Sequence, residues 1–375
     1  MTKLYQMCTR CIMDTTDPCI EFDEYGVCNH CRKYDELVKE YRCSNESNSA
    51  RLADIVNKIK TAGKNKAYDC IIGVSGGVDS TYTLYMANKL GLRPLAVHFD
   101  NGWNSEYSAH NIEELVKRLN IDLSTYVNDW EEFRDLQLSF LKASVPCGEI
   151  PTDHAISAVL YRFAIKENIQ FIITGSNVST EGILPASWGY DLKDSRYILG
   201  IQKYFGTVNM KSYPSYNLLN LFYYHVIKRI KIIRILNYMP YNKSNAKRII
   251  QDELGWKDYG GKHYESTYTR FFQAYVLPRK FNIDKRRAHL SSLICSGQIT
   301  REETIKEMAE PLYKDNKAML EEKHYALKKL GLTEAEFENI MKQPCKTYRD
   351  YRSNYLLLTL IRNLGGNIFR RLHMA

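Results

Sequence analysis

Tyr68-Asp-Cys-Ile-Ile-Gly-Val74, followed by Ser75-Gly76-Gly77-Val78-Asp79-Ser80 and then by Thr81-Tyr-Thr-Leu-Tyr-Met-Ala-Asn-Lys-Leu90 and Gly91, is the stretch that decides the fold. A short apolar run bounded by turn residues reads as a buried strand, and the run from Val78, closed by Gly91, reads as a helix. Between them, two glycines let the backbone turn sharply and approach a ligand closely. A helix N-terminus presents unpaired N–H groups and the positive end of its dipole, so strand, loop and helix in this order form a cradle for phosphate oxygens. Ser75 and Ser80 add hydroxyl donors. The loop has neither the lysine of a Walker A motif nor the glycine spacing of a dinucleotide fingerprint, so this cradle is of another kind.

Further strands are expected on either side. Arg93-Pro-Leu-Ala-Val-His-Phe-Asp100-Asn-Gly102 reads as the next parallel strand, ending in a polar turn. Phe171-Ile-Ile-Thr174-Gly175-Ser176-Asn177 follows a helical stretch from Asp153 to Glu167 and again runs from strand into glycine turn. A fourth apolar run, Ile230 to Leu236, leads through Pro240 into a helical stretch ending at Leu254. This alternation predicts a doubly wound α/β domain with a parallel sheet, whose ligands gather at the carboxyl ends of the strands. We expect it to span residues 68–260, after a module and linker helices in 1–67 and before a helical region in 261–375. In that last region Ser266–Leu277, Lys285–Ser296, Arg301–Tyr313, Asp315–Leu330 and Glu334–Lys342 have amphipathic spacing. Thr300–Glu303 and Thr333–Glu336 have the form of capping boxes.

Near the front, Cys8-Thr-Arg-Cys11 and Cys28-Asn-His-Cys31 form two Cys-x2-Cys pairs at zinc-ribbon or treble-clef spacing. Two such knuckles supply the tetrahedron of thiolates that structural Zn²⁺ prefers, and a closed shell holds a fold without activating water. Cys19 and His30 are nearby substitutes that a four-cysteine site leaves out. Cys43, Cys295 and Cys345 read as isolated; the last two lie in helical stretches, where burial is the default.

The chain has 375 residues and a formal charge of +9, which favours an anionic partner. Basic clusters at Lys228–Lys231, Lys285–Arg287 and Arg370–Arg371 read as scattered, and no nucleic acid is expected as a partner. There is no signal-peptide core in Met1 to Arg10 and no membrane-length apolar run, so the expectation is a cytoplasmic protein with no membrane span. Val226–Tyr238 and Tyr355–Leu364, the most apolar late segments, read as buried strand or helix. Tyr213–Tyr224 reads either as packing or as the lining of a sugar site.

The Ser-Gly-Gly-Val-Asp-Ser loop after an apolar strand resembles the PP-loop signature of the ATP pyrophosphatases, which include GMP, NAD and asparagine synthetases and several tRNA thiolases. The resemblance implies a HUP-like domain in which ATP is cleaved between its α and β phosphates, leaving AMP on the substrate. It implies that Ser75, Gly76, Gly77, Asp79 and Ser80 hold pyrophosphate and that Asp79 helps to place Mg²⁺. It also implies adenine recognition at the end of the second strand, around His98, and a second nucleotide loop at Gly175 and Asn177. The family's loop often continues with an Asp that is not at its usual place here, which leaves the role of Glu181 open.

Taken with Cys11-Ile-Met-Asp-Thr-Thr16, Gly260-Gly-Lys-His-Tyr-Glu-Ser266 and Lys285-Arg-Arg-Ala-His-Leu-Ser291, the pattern resembles the N-acetyl sugar amidotransferases of bacterial lipopolysaccharide O-antigen or nonulosonic-acid synthesis. That resemblance covers most of the chain. It implies that an acetamido group of an anionic sugar or nucleotide sugar becomes an acetamidino group, through an O-adenylyl imidate that ammonia displaces. Asp79, Lys262 and Arg286 are then the catalytic candidates. Lys262, Arg270, Arg286 and Arg287 either grip phosphate or sugar carboxylate or are solvated helix-face charges. Cys147 lies in no glutaminase context, so a separate class I glutaminase is implied, with a cyclase-like companion carrying ammonia. A tRNA thiolase is the alternative, although Cys147 lacks the nearby cysteine partner that sulfur transfer needs.

Overall fold

The computed structural model describes residues 4–41, 45–261 and 264–365. At its centre lie five strands, β1 (Cys70–Gly73), β2 (Pro94–Asp100), β3 (Leu123–Val127), β4 (Phe171–Ile173) and β5 (Lys231–Ile233), in the spatial order β3-β2-β1-β4-β5. Every pairing is parallel. From β1 the chain steps outward to β2 and β3, then crosses back to β4 and β5 on the other side. The order therefore reverses between β1 and β4, and in open parallel sheets ligands bind beyond the carboxyl ends of the strands at such a reversal.

Successive strand residues point to opposite faces. Ile71, Leu95, Val97 and Ile172 pack with Ala155, Ala158 and Val159 of the helix Ile150–Lys166. Cys70, Ile72, Ala96, Phe171 and Ile173 pack instead with Leu84 of the helix Val78–Lys89 and Ile250 of the helix Lys243–Leu254. Both faces are covered, as parallel sheets require, which is why these strands read as continuous apolar runs.

Two strands depart from expectation. β3 was not among the four runs read from sequence: Leu-Ser-Thr-Tyr-Val pairs only with β2, and as an edge strand leaves Val127 70% exposed. A half-solvated edge needs no apolar run. The fourth run pairs only over Lys231–Ile233 and then tightens into a 3₁₀ turn at Ile235–Tyr238. The two late apolar segments are not wholly buried either: Val226 and Ile227 are exposed, and Leu356 is 81% exposed on the helix Tyr355–Gly365. Once an apolar run coils on a surface, its period turns some members outward.

The helices expected at the C-terminus are present, and both capping boxes form. The run Thr267–Phe281 is interrupted by a π turn at Phe272–Val276. Pro278 explains it: the residue has no N–H to give to Ala274 and its ring crowds that carbonyl. Arg279 compensates, its guanidinium lying 3.4 Å from the carbonyls of both Ala274 and Tyr275.

His154, fully buried on the sheet-covering helix, donates from Nδ1 to the Leu192 carbonyl at 2.6 Å. Its Nε2 accepts from the Tyr216 N–H at 3.2 Å, and its ring stacks on Tyr216 at 4.2 Å. Burial pushes its pKa down to about 4 from the usual 6.5. Between those values the unfolded chain binds a proton that the native chain refuses, so stability is full above about pH 6.5 and declines as pH falls toward 4, by a few kcal/mol at most. Thermal melts across this window should show a steeper loss in the wild type than in His154→Gln. Equal slopes would remove His154 as the cause.

Candidate functional site

The phosphate loop leaves β1 at the switch point and enters the helix Val78–Lys89. Gly76 sits at φ +77°, and a Cβ there would lie 2.7 Å from the Ser108 carbonyl oxygen, so both conformation and space demand glycine. The bend is tied from outside. Ser108 Oγ donates to the Ser75 carbonyl at 2.8 Å, and Trp256 Nε1 and Asn111 Nδ2 donate to the Gly76 carbonyl at 2.8 and 3.4 Å. Within the loop, the Ser75 N–H donates to Ser80 Oγ at 3.3 Å and the Gly77 N–H to Ser75 Oγ at 3.3 Å. Ser80 Oγ donates to the Gly77 carbonyl at 3.1 Å.

Above Gly77 lies a space bounded by oxygen atoms. A Cβ there would stand 3.2 Å from Glu265 Oε1, Ser75 Oγ and Tyr259 Oη alike. Glu265 Oε1 is 3.5 Å from Ser75 Oγ. These three oxygens border the space above Gly77, and a phosphate entering it would take over the Ser75 donor that now meets Glu265.

Asp79, in the first turn, accepts from the phenol of Tyr241. Burial, then the charge and hydrogen bond of Asp79, then Glu181, keep the Tyr241 hydroxyl protonated by raising its pKa far above the usual value. Tyr259 is raised likewise by burial, Glu265 and Asp79. Three carboxylates, Asp79, Glu181 and Glu265, therefore act on two buried phenols. Glu181 arrives on the short helix Val178–Glu181 after β4. Gly175 makes this approach possible, since a Cβ there would lie 2.9 Å from the Ser80 nitrogen and the Asp79 carbonyl carbon.

Other expected residues have defined partners elsewhere. Asn177 caps its own helix, accepting from the Thr180 N–H at 2.9 Å. His98 ties two strand ends together, donating from Nδ1 to the Val74 carbonyl at 2.8 Å and accepting at Nε2 from Asn104 at 2.9 Å. Arg286 meets Asp284 at 2.8 Å and the Glu310 carbonyl at 2.9 Å. Arg287 meets Asp14 at 3.0 Å, and Arg270 meets Glu322 at 2.9 Å with its guanidinium over Tyr264. Lys262 lies outside the described residues, as does Cys43. Sequence reasoning assigned no role to Ser108, Asn111, Tyr241, Trp256, Tyr259 or Glu265. Only Glu265 carried a signal, its place just after the Gly260-Gly261 pair.

Cys8, Cys11, Cys28 and Cys31 are all fully buried, with sulfurs within 4.8 Å of one another. Cys8–Cys31 and Cys11–Cys28 separations are 3.9 and 3.7 Å. The edge of a tetrahedron with metal–sulfur bonds of ~2.3 Å is ~3.8 Å, so the four thiols fit a Zn²⁺-like ion without rearrangement. Backbone N–H groups of Cys11 and Cys28 point at Cys8 Sγ at 3.4 and 3.3 Å, which favours its thiolate. His30 instead meets Asp17 at 2.6 Å. Cys295 is not isolated in space: its sulfur is 3.7 Å from that of Cys31, at the end of the helix Lys285–Cys295. Cys345 is exposed, not buried.

That helix holds the module in place. Ser291 Oγ accepts from the Ile12 N–H at 3.3 Å, Arg287 donates to the Ile12 carbonyl at 2.7 Å, and Arg301 donates to the carbonyls of Cys11 and Cys8 at 3.1 and 3.2 Å. Metal analysis of the purified chain should return one equivalent. Cys8→Ser/Cys28→Ser should lose it and melt at lower temperature, and full metal content in that variant would refute the site. Gly76→Ala should cost about 2 kcal/mol or more of stability from strain and clash together. An unchanged melting temperature would contradict the tightness of the loop.

Residues 265–364 match the family model described as the C-terminal domain of WbpG-like lipopolysaccharide-biosynthesis proteins. No curated protein matches the chain. Among solved structures, the U34-tRNA thiolase NcsA from Methanococcus maripaludis with its [4Fe-4S] cluster is 16% identical, covering 84% of this chain and 92% of its own, at a TM-score of 0.32. NMN synthetase from Francisella tularensis is 17% identical, with coverages of 60% and 100% and a TM-score of 0.29. A predicted tRNA methyltransferase subunit from Methanocaldococcus jannaschii is 15% identical, with coverages of 48% and 74% and a TM-score of 0.28. Residues 265–364 are thus similar to the WbpG-like C-terminal domain, and they follow a parallel-sheet α/β fold whose loop resembles the PP-loop sequence.

Proposed function

We propose that this chain is the ATP-dependent synthetase subunit of an amidotransferase that converts an acetamido group of a nucleotide-linked or acidic sugar into an acetamidino group. One observation carries the reading: Glu265, the first residue of the matched lipopolysaccharide-biosynthesis domain, reaches the phosphate loop at 3.5 Å from Ser75 Oγ. The segment that suggests the substrate thus begins beside the loop that suits ATP.

An amide oxygen is a poor leaving group. Attack of that oxygen on the α phosphorus of ATP would release pyrophosphate and give an O-adenylyl imidate, from which ammonia would expel AMP. The loop's N–H and hydroxyl donors would hold the departing pyrophosphate, where preorganised donors are most effective. Asp79 and Glu181 would hold Mg²⁺, which when bound supplies charge compensation to the phosphates. Tyr241 would keep Asp79 oriented, and Lys262 and Arg286 remain candidates for contact with phosphate or sugar. We assign the four-cysteine ion as Zn²⁺ in a structural role.

Ammonia is assigned to a separate class I glutaminase with a cyclase-like channel subunit. Cys147 supports a source elsewhere: it is buried against the Tyr197 hydroxyl at 3.3 Å, and burial pushes its thiol up to about 11, so it is not poised as a nucleophile. Among the described residues no helix is long and apolar enough to cross a membrane, and we place the reaction in the cytoplasm.

Incubation with ATP, ammonium and a panel of acetamido nucleotide sugars should yield AMP, pyrophosphate and an acetamidino product about one mass unit lighter. Asp79→Ala and Ser75→Ala should fold and lose about 10²-fold or more of the rate. Wild-type turnover by the Asp79 variant would move the site elsewhere. Glutamine should serve only when the partner glutaminase is added. Glutamine-dependent product from this chain alone would overturn the two-subunit reading, and sulfur incorporation into tRNA would replace it with thiolation.

A further inference from the structure

The positive surplus that reads as scattered is concentrated. Residues 195–251 contain ten of the 52 Lys and Arg and none of the 43 Asp and Glu, so the rest of the chain is, on balance, one charge negative. In the middle of this segment lies the helix Leu218–Phe222, continued by a π turn at Tyr223–Ile227. Its inner side is anchored: Tyr224 stacks on Tyr161 at 4.6 Å, and His225 bonds the Tyr161 hydroxyl at 3.0 Å and the Ile230 carbonyl at 2.9 Å.

The outer side has another character. Leu219, Phe222, Tyr223, Val226 and Ile227 are 79%, 59%, 40%, 42% and 60% exposed. They fall at i, i+3, i+4, i+7 and i+8, a single stripe along the element. Lys228 and Arg229 follow at once, both exposed, with Lys228 Nζ 5.6 Å from the Tyr223 ring centre. Arg162 and Lys193 are close enough to act electrostatically on Tyr224 and His225. Five large apolar side chains held toward water cost free energy in a monomer, and such a stripe marks a contact surface.

We propose that this stripe with its basic collar is a peripheral docking site for an anionic bilayer surface, on which the chain lies without spanning it. An apolar stripe edged by Lys and Arg is the pattern of a helix that sits at the headgroup boundary, its apolar side chains among the acyl chains and its cations at the lipid phosphates. Charge and contact chemistry decide against two other occupants. A second copy of the same face would bring two acid-free basic segments together, and nucleic acid would leave Leu219, Val226 and Ile227 without partners, because aliphatic side chains do not stack on bases.

The test is co-sedimentation of the full-length chain with vesicles. At low salt it should pellet with mixed phosphatidylglycerol and phosphatidylcholine vesicles and stay in the supernatant with pure phosphatidylcholine. Phe222→Ser/Ile227→Ser and Lys228→Gln/Arg229→Asn should each lower the partition coefficient about tenfold or more, with melting temperature and AMP-forming activity unchanged. Failure of the wild type to bind the anionic vesicles would overturn the proposal. So would undiminished binding by the Phe222/Ile227 variant, which would leave only diffuse charge attraction. An oligomer in lipid-free solution that this variant breaks apart would assign the face to self-association instead.

Discussion

The carbonyl of Gly76 is the point on which the rest of the site depends. A buried carbonyl left without a donor costs about 1–3 kcal/mol, and this one is met by Trp256 and Asn111, which are far apart along the chain. Asn111 also grips the backbone of Lys257, accepting from its N–H at 2.7 Å and donating to its carbonyl at 2.9 Å. The same contacts that bend the phosphate loop therefore set the path of the chain toward Tyr259 and Glu265. A loop that must be glycine for steric reasons becomes the bracket that brings Glu265 beside it.

The metal module is joined to the site by a short physical route. On the helix Lys285–Cys295, Ser291 takes the N–H of Ile12 while its neighbour Ser292 takes the N–H of Ile183 at 3.0 Å, just past Glu181. Tyr34, on the module's own helix, packs so closely on Gly182 that a Cβ there would lie 2.6 Å from its ring. Because metal binding free energy is folding free energy in a segment with little core of its own, an ion held by the four cysteines would stabilise the residues that position Glu181. Arg287, which sequence alone left as either a solvated charge or a phosphate grip, acts together with Arg301 as a donor to carbonyls of the module.

The C-terminal helices brace the opposite wall. Lys329 donates to the Gly102 carbonyl and lies over the rings of Trp103 and Trp130 at 4.8 and 5.1 Å, fixing the turn that ends β2. Asn104 in that turn bonds His98. The loops after β1, β2 and β4 are thus each held by contacts from outside the sheet.

What the sequence by itself determined is local or periodic. The apolar runs of β1, β2 and β4, the glycines at 76 and 175, the Cys-x2-Cys pairs and the two capping boxes each follow from rules that act within a few residues, or from a spacing that only one geometry satisfies. β3 escaped because an edge strand needs no apolar run, and Cys295 because nothing in its neighbourhood points to Cys31, 264 positions away. Only the tertiary structure decided that Glu265 reaches a loop 190 residues upstream, that Tyr241 holds Asp79, and that Arg286 and Arg287 have partners of their own. It also decided which side of residues 219–227 faces water, since periodicity shows a stripe but not whether another element covers it. The physical reason is common to all of these: hydrogen bonds and charge pairs form between groups that folding makes neighbours, and separation along the chain carries no information about which groups those will be.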